Sequence, residues 1–263
     1  MFNKHWPETG CTAIVPIGSS GILGNTLGLP RYNQWLRHIT YLTSDALSVF
    51  VGLLLGDAHF FRAGGSKAKD SAYYIIGFTQ SLINFPFVWH TILEIFHWLP
   101  SIPKVRLAKG TPPGTDSKEL RGVVWKDRFR FDLRTRALPV FSFLADLFIL
   151  PNGRKGIKVD LFHYLTPKAL AFWIMCDGHR TMGGLSLCTD SYTIQELVIL
   201  INILIIRYDL KCTIHKAGNH HRIYISADSM AQLRTIVGPH MSPFSMYKLA
   251  GMSRKDYTDS LTK

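Results

Sequence analysis

The segment "VGLLLGDAHF", residues 51–60, decides the fold of this chain. Its apolar run has the character of a buried helix and ends at one carboxylate, Asp57. Gly52 and Gly56 are four residues apart and therefore share a helix face, where the absence of side chains lets another helix approach closely. A second segment, "LAFWIMCDGHR" at residues 170–180, is also apolar and contains an acid near its end. The pair predicts two helices that pack side by side and bring two acids together.

The composition predicts a folded protein with an anionic partner. Of the 263 residues, 47% are hydrophobic and 18% are charged, which supplies a full core and excludes a disordered chain. Lysine and arginine number 30 against 18 aspartate and glutamate residues, a formal net charge of +12. That excess favours a polyanion as the partner, nucleic acid before an acidic membrane surface.

The cysteines and the apolar segments argue against two other classes of protein. Four cysteines at irregular spacing do not form a disulfide scaffold and favour a reducing compartment. Cys176 and His179 stand at metal-ligand spacing, but no second tight pair follows, so we expect no structural zinc. The most apolar segment, residues 197–206, is about half of the roughly 20 residues that a bilayer requires. We therefore expect a buried helix there and no membrane partner.

An internal repeat organises the chain. "LTSDAL" at residues 42–47 and "LTPKAL" at residues 165–170 each open a predicted helix that ends at an acid. Thr166 is a suitable N-cap because a proline follows it at the first helical position, and Thr43 or Ser44 can play the same part in the first copy. After each such helix the sequence predicts a strand, a helix, two strands and a final helix.

The repeat divides the chain into four parts. We expect an N-terminal arm with a short helix near its end at residues 1–40, a first module at 41–150, a basic linker at 151–164 and a second module with a short tail at 165–263. Two equivalent modules give a monomer an internal two-fold axis, which matches the approximate two-fold symmetry of duplex DNA. Modules about 34 Å across would together cover on the order of 20 base pairs.

Basic side chains alternate along the predicted strands. In "RFRFDLRTR", residues 128–136, a period of two places the apolar residues against the helices and the arginines on an open face. Residues 211–215 and 222–226 repeat this pattern more weakly. For these faces we favour nucleic-acid contact over simple solvation. The candidate DNA contacts on and beside the strands are Arg62, Lys67, Lys104, Arg106, Lys126, Arg128, Arg130, Arg134, Arg136, Arg154, Arg180, Lys211, His215, Lys216 and Arg222.

The two acids, Asp57 and Asp177, predict a metal site. A single acid beside glycine often just ends a helix, but two copies in equivalent modules meet at the end of the helix pair. Two neighbouring carboxylates repel and shift each other's pKa unless a positive charge compensates. A hard divalent cation does so, and oxygen ligands with open positions suit Mg²⁺, with Mn²⁺ or Ca²⁺ as substitutes in a crystal. Beside DNA phosphates, this arrangement predicts metal-assisted phosphodiester hydrolysis.

At these residues the sequence resembles the LAGLIDADG homing endonucleases of organellar introns. "FVGLLLGDA" at residues 50–58 and "LAFWIMCDG" at residues 170–178 are similar to the two signature motifs of that family. "LTPKAL" and the later "MYKLAG", residues 246–251, fit its single-chain members from mitochondrial group I introns. The resemblance covers roughly residues 40–250 and implies a mitochondrial protein.

The resemblance implies an α+β fold of two αββαββα modules, whose sheets form a saddle over the DNA major groove. It also implies that Asp57 and Asp177 bind the metal ions, with help from the backbone carbonyls of Gly56 and Cys176. One basic residue from each module is expected near the cleaved phosphates, where it polarises the attacking water or stabilises the pentavalent phosphate. By position, these residues are Lys155, with Arg154 as the alternative, and Lys248.

The second motif departs from the family pattern. Phe172 stands where the first motif has Gly52, and Cys176 stands where the family has glycine or an acid. These departures predict asymmetric packing of the helices and unequal metal sites. His59 and His179 each follow a motif acid by two residues, and we expect them to begin the next strand and contact DNA or solvent rather than take part in the chemistry.

Three hypotheses follow from the sequence. The first is a sequence-specific, Mg²⁺-dependent double-strand DNA endonuclease acting on a long asymmetric site. The second is a group I intron maturase that binds intron RNA and has reduced or no nuclease activity. The third is a basic DNA-binding module whose acids merely end helices. The paired acids in repeated modules favour the first.

Overall fold

The computed structural model describes residues 32–63, 73–107, 129–181 and 183–261. A short helix, α1 (Gln34–Ile39), lies where the sequence predicts one. The first module follows it as α2 (Ser44–Leu55), β1 (His59–Arg62), β2 (Tyr74–Ser81), α3 (Phe85–Ile95), β3 (Lys104–Leu107), β4 (Phe129–Arg134) and α4 (Phe141–Phe148). Its four strands form an antiparallel sheet in the order β1-β2-β4-β3.

The second module repeats this plan. After a one-turn helix, α5 (Leu161–Tyr164), its elements are α6 (Pro167–Asp177), β5 (Gly178–Arg180), β6 (Leu185–Leu187), α7 (Ile194–Tyr208), β7 (Cys212–Ala217), β8 (His220–Ile225) and α8 (Met230–Val237). Its strands pair antiparallel in the equivalent order, β5-β6-β8-β7. Two short helices follow, α9 (Tyr247–Ala250) and α10 (Arg254–Leu261).

The predicted α+β fold of two αββαββα modules is confirmed. The element order worked out from residue patterns alone was wrong in one respect, because it placed one strand after each motif helix where the structure has two. The additional strands, β1 and β5, begin at His59 and Gly178, within a few residues of the helix ends, and have 4 and 3 residues. Strands this short show too little alternation to be recognised.

Helices α2 and α6 pack against each other at the centre of the molecule. Both begin at the predicted threonine caps, where Thr43 Oγ1 accepts a hydrogen bond from the Ala46 N–H at 3.2 Å and Thr166 Oγ1 accepts one from the Ala169 N–H at 3.1 Å. Thr166 Oγ1 also donates to the hydroxyl oxygen of Ser48 on α2 at 2.8 Å. The two helix starts are therefore joined as well as capped.

The glycines of α2 permit the close approach that the sequence predicts. A Cβ atom on Gly52 would lie 2.3 Å from the carbonyl oxygen of Ala169 and 2.6 Å from Cβ of Phe172. A Cβ atom on Gly56 would lie 2.4 Å from Cβ of Cys176. Each glycine of α2 thus faces a larger side chain of α6. The expected asymmetry is present, and the glycines accommodate it.

The two sheets cover this helix pair with their apolar faces. Helical residues at the contact are almost fully buried, and the inward-facing strand residues have at most 7% exposure. Burial of this apolar surface is the main stabilising contribution to the core. The inward-facing strand residues are Ile76, Phe78, Phe131 and Leu133 in the first sheet, and Leu185, Leu187, Ile223 and Ile225 in the second.

Helix α7 corresponds to the most apolar segment of the sequence. Thr193 and Glu196 form a capping box at its start, and Leu200 and Leu204 are fully buried. The expected buried helix is present, but only one face of it is buried, since Ile206 on the other face is 70% exposed. Among the helices of the described ranges, α7 included, none combines the length and the apolar character that crossing a membrane requires.

Substituting Gly52 by alanine tests the close helix contact. The added methyl group would collide with the backbone oxygen of Ala169, so we expect a loss of about 1–3 kcal/mol in the free energy of unfolding. The measurement is chemical denaturation followed by circular dichroism. Ser44→Ala, at an exposed position on the same helix, should change it by less than about 0.5 kcal/mol. Equal stability of the Gly52→Ala variant and the wild type would contradict the close contact.

Candidate active site and nucleic-acid interface

The two motif acids lie together at the shared end of α2 and α6. Asp177 is the last residue of α6, and Asp57 follows Gly56, the C-cap of α2. The Asp177 Oδ2 atom lies 3.3 Å from the point where a Cβ on Gly56 would stand, so this carboxyl group rests against the end of the other helix. The predicted meeting of the two acids is therefore present in the fold.

Protonation of the acids reflects their crowded surroundings. Burial raises the pKa of Asp177 to about 7, and the nearby negative charge of Asp57 contributes to that shift. Asp57 keeps an exposed surface, yet the protein atoms around its carboxyl group raise its pKa by desolvation, against a hydrogen bond from Gln80 that lowers it. Such a pair is costly to ionise fully without a cation.

Lys155 binds the carbonyl oxygens at the end of α2. Its ammonium group donates to the carbonyls of Leu54 at 2.8 Å, Gly56 at 3.2 Å and Ala58 at 3.0 Å. A helix ends with unpaired carbonyl groups and a partial negative charge, and a lysine there satisfies both. Lys155, predicted from the basic linker, is thus fixed beside Asp57.

Lys248 occupies the equivalent place at the end of α6. Its ammonium group donates to the carbonyls of Ile174 at 3.1 Å, Met175 at 2.7 Å and Cys176 at 3.3 Å. Burial lowers the pKa of both lysines, while the negative charges near them oppose that shift. The two lysines place positive charge within the site.

The lysines also bear on the carbonyls that were predicted to bind metal. The backbone oxygens of Gly56 and Cys176 each accept a hydrogen bond from a lysine. A carbonyl oxygen has two lone pairs, so this contact leaves one for another partner. A metal role for the two carbonyls stays a prediction.

Arg154, the alternative to Lys155, points elsewhere. Its guanidinium group forms an ion pair with Glu196 at 2.9 Å. The same carboxylate oxygen of Glu196 accepts a hydrogen bond from the Ile157 N–H at 3.0 Å. Glu196 therefore holds the linker on both sides of Lys155 and helps to present that lysine to α2.

Three residues of the site were missed by sequence reasoning. Gln80 donates a hydrogen bond to the carboxylate of Asp57, Tyr192 donates from its hydroxyl to the Leu55 carbonyl at 2.8 Å, and Glu196 anchors the linker. The sequence does point to Gln80, because alternation places it on the inward face of β2 with Ile76 and Phe78. A polar side chain buried there is unfavourable unless it has a hydrogen-bond partner. For the other two, nothing in the sequence pattern pointed to the site.

Within the described residues, the cysteines and histidines near the site do not gather into a cluster of metal ligands. Across the described ranges, no three or more His, Cys, Asp or Glu side chains converge as metal ligands. Cys176, Cys188 and Cys212 are free thiols, and Cys11 lies outside the described residues. His59 begins β1 as expected, and His179 lies in β5, where its Nδ1 is 3.6 Å from the sulfur of Cys188.

The open face of the first sheet carries the predicted arginines. Arg130 and Arg134 are exposed and alternate with the buried residues of β4. Asp132 lies between them and forms ion pairs with Arg134 at 3.4 Å and Arg106 at 3.1 Å. The register places Lys104 opposite Asp132 and Arg106 opposite Arg130, so all these side chains share one face. Lys67, Lys126 and Arg128 lie outside the described residues.

Arg136 does not lie on this face, and that expectation was wrong. Strand β4 ends at Arg134, after which the Arg136 N–H donates to the Trp98 carbonyl and the chain turns inward. Arg136 is only 8% exposed, and its guanidinium carbon lies 4.2 Å from the ring centroid of Tyr32. A buried cation over an aromatic ring supports the fold rather than DNA contact.

The second sheet has a weaker basic face, as predicted. His215 is exposed and stacks on Tyr224, with ring centroids 4.5 Å apart, and Arg222 is opposite it in the register. Arg222 forms a two-bond ion pair with Asp190 at 2.9 and 2.8 Å. Lys216 pairs with His221 and therefore points to the other face, at the exposed end of the hairpin.

The remaining candidate contacts lie at the edges of the sheets. Arg62 and Arg180 are exposed at the ends of β1 and β5. Lys211 is exposed before β7 and forms an ion pair with Asp228 at 3.2 Å. Whether these side chains contact DNA stays a prediction.

The raised pKa of Asp177 predicts how stability depends on pH in the presence of a chelator. Because the folded-state pKa of about 7 lies above the ordinary 3.8, this group stabilises the fold at acidic pH and loses that contribution as the pH rises from about 4 to 7. Asp177→Asn should therefore unfold at a higher temperature than the wild type above pH 7. Thermal unfolding across this range checks it, with Asp160→Asn, an exposed acid, as control. Parallel curves for the wild type and the Asp177→Asn variant would contradict it.

The chain is similar to known DNA endonucleases and to an intron maturase. The family model described as "LAGLIDADG DNA endonuclease family" matches residues 47–233. "Probable intron-encoded endonuclease 1" of Wickerhamomyces canadensis is 34% identical over 241 residues, 89% of this chain and 96% of that protein. "Cytochrome b mRNA maturase bI2" of Debaryomyces hansenii is 28% identical over 210 residues, 79% of this chain and 74% of that protein.

Among solved structures, "The homing endonuclease I-WcaI bound to its DNA recognition sequence" has a TM-score of 0.67 and 25% identity, covering 80% of this chain and 88% of that chain. Two further observations agree with this similarity. The family match spans most of the chain, and the two motif helices pack against each other as the sequence predicts. This chain therefore belongs to the LAGLIDADG DNA endonuclease family.

Proposed function

We propose that this chain is a sequence-specific homing endonuclease that cleaves both strands of a long duplex DNA site with Mg²⁺. One observation carries the proposal: the carboxyl groups of Asp57 and Asp177 come from two different modules and meet at one point, between two basic sheets. A DNA-binding module with no chemistry would gain nothing from such a pair, because their mutual repulsion destabilises the fold.

The residues at this point fit a hard divalent cation. Two carboxylates and nearby carbonyl oxygens are the donor types that Mg²⁺ prefers, and Mg²⁺ keeps further positions for water and phosphate. The raised pKa of Asp177 marks an unfavourable charge that a cation would relieve. When bound, the metal would supply an activated water and neutralise the charge of the leaving oxygen. We expect Mn²⁺ to replace Mg²⁺ and Ca²⁺ to bind as a probe.

Lys155 and Lys248 provide the second element of the chemistry. Their ammonium groups are fixed at the two helix ends, beside the acids. A cation held in place before the reaction stabilises negative charge that develops on the phosphate, without a cost of reorganisation. Each lysine is therefore proposed to act on a pentavalent phosphate near its own helix end.

DNA would bind across the two sheets. Arg130 and Arg134 offer contacts on the first sheet, and His215 and Arg222 on the second. Because the two faces differ, the site they read is asymmetric, and arginines in the major groove contribute to its sequence recognition. With both motifs in one chain, the protein acts as a monomer, and by analogy with intron-encoded relatives it works in the mitochondrion.

Cleavage of the uninterrupted host-gene junction tests the proposal. The duplex joins the two sequences that flank the coding intron. We expect the wild type to cut both strands with Mg²⁺ and to stop when the metal is chelated. The cleavage rates of Asp57→Asn and Asp177→Asn should each fall on the order of 100-fold or more. Replacing a residue that only hydrogen-bonds to a metal ligand already costs about 10–100-fold, and these two residues are proposed as the ligands themselves.

Asp160→Asn controls for the loss of a negative charge and should cut at the wild-type rate. Absence of cleavage by the wild type on this duplex would refute the nuclease function. Equal cleavage by the wild type and both motif variants would refute the metal assignment, even if the nuclease function held.

Replacing the linker lysine tests the proposed role of the fixed ammonium groups. Lys155→Met should reduce the cleavage rate by about 10²-fold or more, the usual effect of removing one stabilising group in a transition state. DNA affinity, measured by gel shift in Ca²⁺, should change little. Lys158→Met, which removes the same charge three residues away, serves as the control. Loss of rate and affinity in equal proportion would mean that Lys155 only binds DNA.

Intron maturase activity is the second candidate, and the similarity to a cytochrome b mRNA maturase favours testing it. A maturase would bind its intron RNA more tightly than the DNA junction. A filter-binding comparison of the two nucleic acids in the same buffer distinguishes the two functions. Tight RNA binding without DNA cleavage would replace the nuclease proposal.

A further inference from the structure

A chain of hydrogen bonds connects the last helix of the protein to Asp57. Gln80 donates from Nε2 to Oδ2 of Asp57. Asn84 donates from Nδ2 to Oε1 of Gln80 at 2.6 Å, and Arg254 of α10 donates from Nη2 to Oδ1 of Asn84 at 2.8 Å. This hydrogen-bonded chain therefore connects the C-terminal segment to Asp57 of the first module.

The two ends of this chain determine the orientation of the amides between them. An arginine side chain can only donate, and an ionised carboxylate can only accept. With Arg254 at one end, the oxygen of Asn84 faces the guanidinium, its nitrogen faces Gln80, and the nitrogen of Gln80 faces Asp57. A chain polarised in one direction strengthens each of its bonds. Without Arg254, only the carboxylate end would orient the amides, and Asn84 would lose the partner that holds it against Gln80.

The position of Arg254 is itself well fixed. Its Nη2 also donates to the hydroxyl of Tyr247 at 2.9 Å, and its guanidinium carbon lies 5.0 Å from the centroid of that ring. Tyr247 directly precedes Lys248, whose ammonium group binds the end of α6. The segment from Tyr247 to Arg254 thus contacts both halves of the site.

The second acid has no equivalent chain. The two sheets can be aligned through equivalent pairs, His59 with Gly77 and His179 with Ser186. Gln80 lies three residues after Gly77, and the residue three after Ser186 is Thr189, so Thr189 is the counterpart of Gln80. The Thr189 hydroxyl donates to the backbone carbonyl of His221 at 2.9 Å and is almost fully buried. Within the described ranges, the amide chain therefore serves Asp57 alone.

We propose that Arg254 is a positioning residue of the active site, which acts through Asn84 and Gln80 to hold the Asp57 carboxylate for the metal ion. The inference rests on the proposed nuclease function. It assigns the C-terminal helix α10 a role in metal binding, and it makes the two halves of the site unequal at the level of their supporting contacts. Residues that orient metal ligands typically change metal affinity or activity by 10–100-fold when replaced.

Two variants and a matched control test the inference. Arg254→Gln removes the cation that orients the chain. Asn84→Asp leaves Arg254 with a charged partner, so that α10 stays docked, but it removes the amide donor to Gln80. Lys255→Gln removes one positive charge from an exposed neighbour on the same helix and is the control. Arg254→Lys keeps a donor towards Asn84 and should restore most of the function.

Two readouts are needed for each variant. The first is the nicking rate of each strand of a doubly end-labelled junction duplex in Mg²⁺. The second is the Ca²⁺ affinity of the protein–DNA complex, measured by calorimetry without any cleavage. We expect Arg254→Gln and Asn84→Asp to slow the nicking of one strand about tenfold or more beyond that of the other, and to weaken Ca²⁺ binding by about tenfold. The control should match the wild type in both.

The outcomes separate positioning from simple docking of α10. If Asn84→Asp behaves as the wild type while Arg254→Gln is impaired, or if both strands slow equally, Arg254 only stabilises the helix and the inference is overturned. If the wild type does not cleave, the nuclease function is refuted. The Ca²⁺ titration then still tests whether the hydrogen-bonded chain from Arg254 to Asp57 supports metal binding. Unchanged Ca²⁺ affinity in both variants would overturn the inference in that case as well.

Discussion

The contact between α2 and α6 is the constraint on which the rest of the structure depends. Because Gly52 and Gly56 have no side chains, the two helices approach closely. Phe172 of α6 packs against Gly52, and Cys176 packs against Gly56. This contact fixes the relation of the two modules, and it also brings the two helix ends together. The packing that forms the core thus also places the two acids, and its free energy opposes their repulsion.

Charge balance at the shared helix end explains the surrounding residues. The negative ends of two helices and two carboxylates lie at one point. Their mutual repulsion is unfavourable unless positive charge compensates it. Lys155 and Lys248 neutralise the helix ends, and Gln80 supports Asp57 with a neutral donor. What remains is a pair of acids with a raised pKa, which we propose as the binding site of a divalent cation beside a DNA phosphate. Structural stabilisation and proposed catalysis thus draw on the same lysines.

The sequence predicts well what depends on local patterns. The threonine caps, a helix that includes residues 197–206, the alternation of β4 and the meeting of Asp57 and Asp177 all follow from periodicity, capping and the repeat. Predictions from the sequence fail where contacts between distant parts of the chain determine the position of a residue. Arg136 continues an alternating pattern but turns inward after β4 has ended, and the short strands β1 and β5 carry too few residues to be recognised. Arg254 reaches the site only because α10 folds back across 170 residues of chain.

The central claim is that the paired acids hold a divalent cation beneath bound DNA. Its most direct test is a crystal of the chain with its junction duplex and Mn²⁺, with the metal located by anomalous scattering. The claim predicts a peak within about 2.5 Å of a carboxylate oxygen of Asp57 or Asp177, with a DNA phosphate as a further ligand. Mn²⁺ bound elsewhere, with both carboxylates free of metal and DNA seated on the sheets, would contradict it.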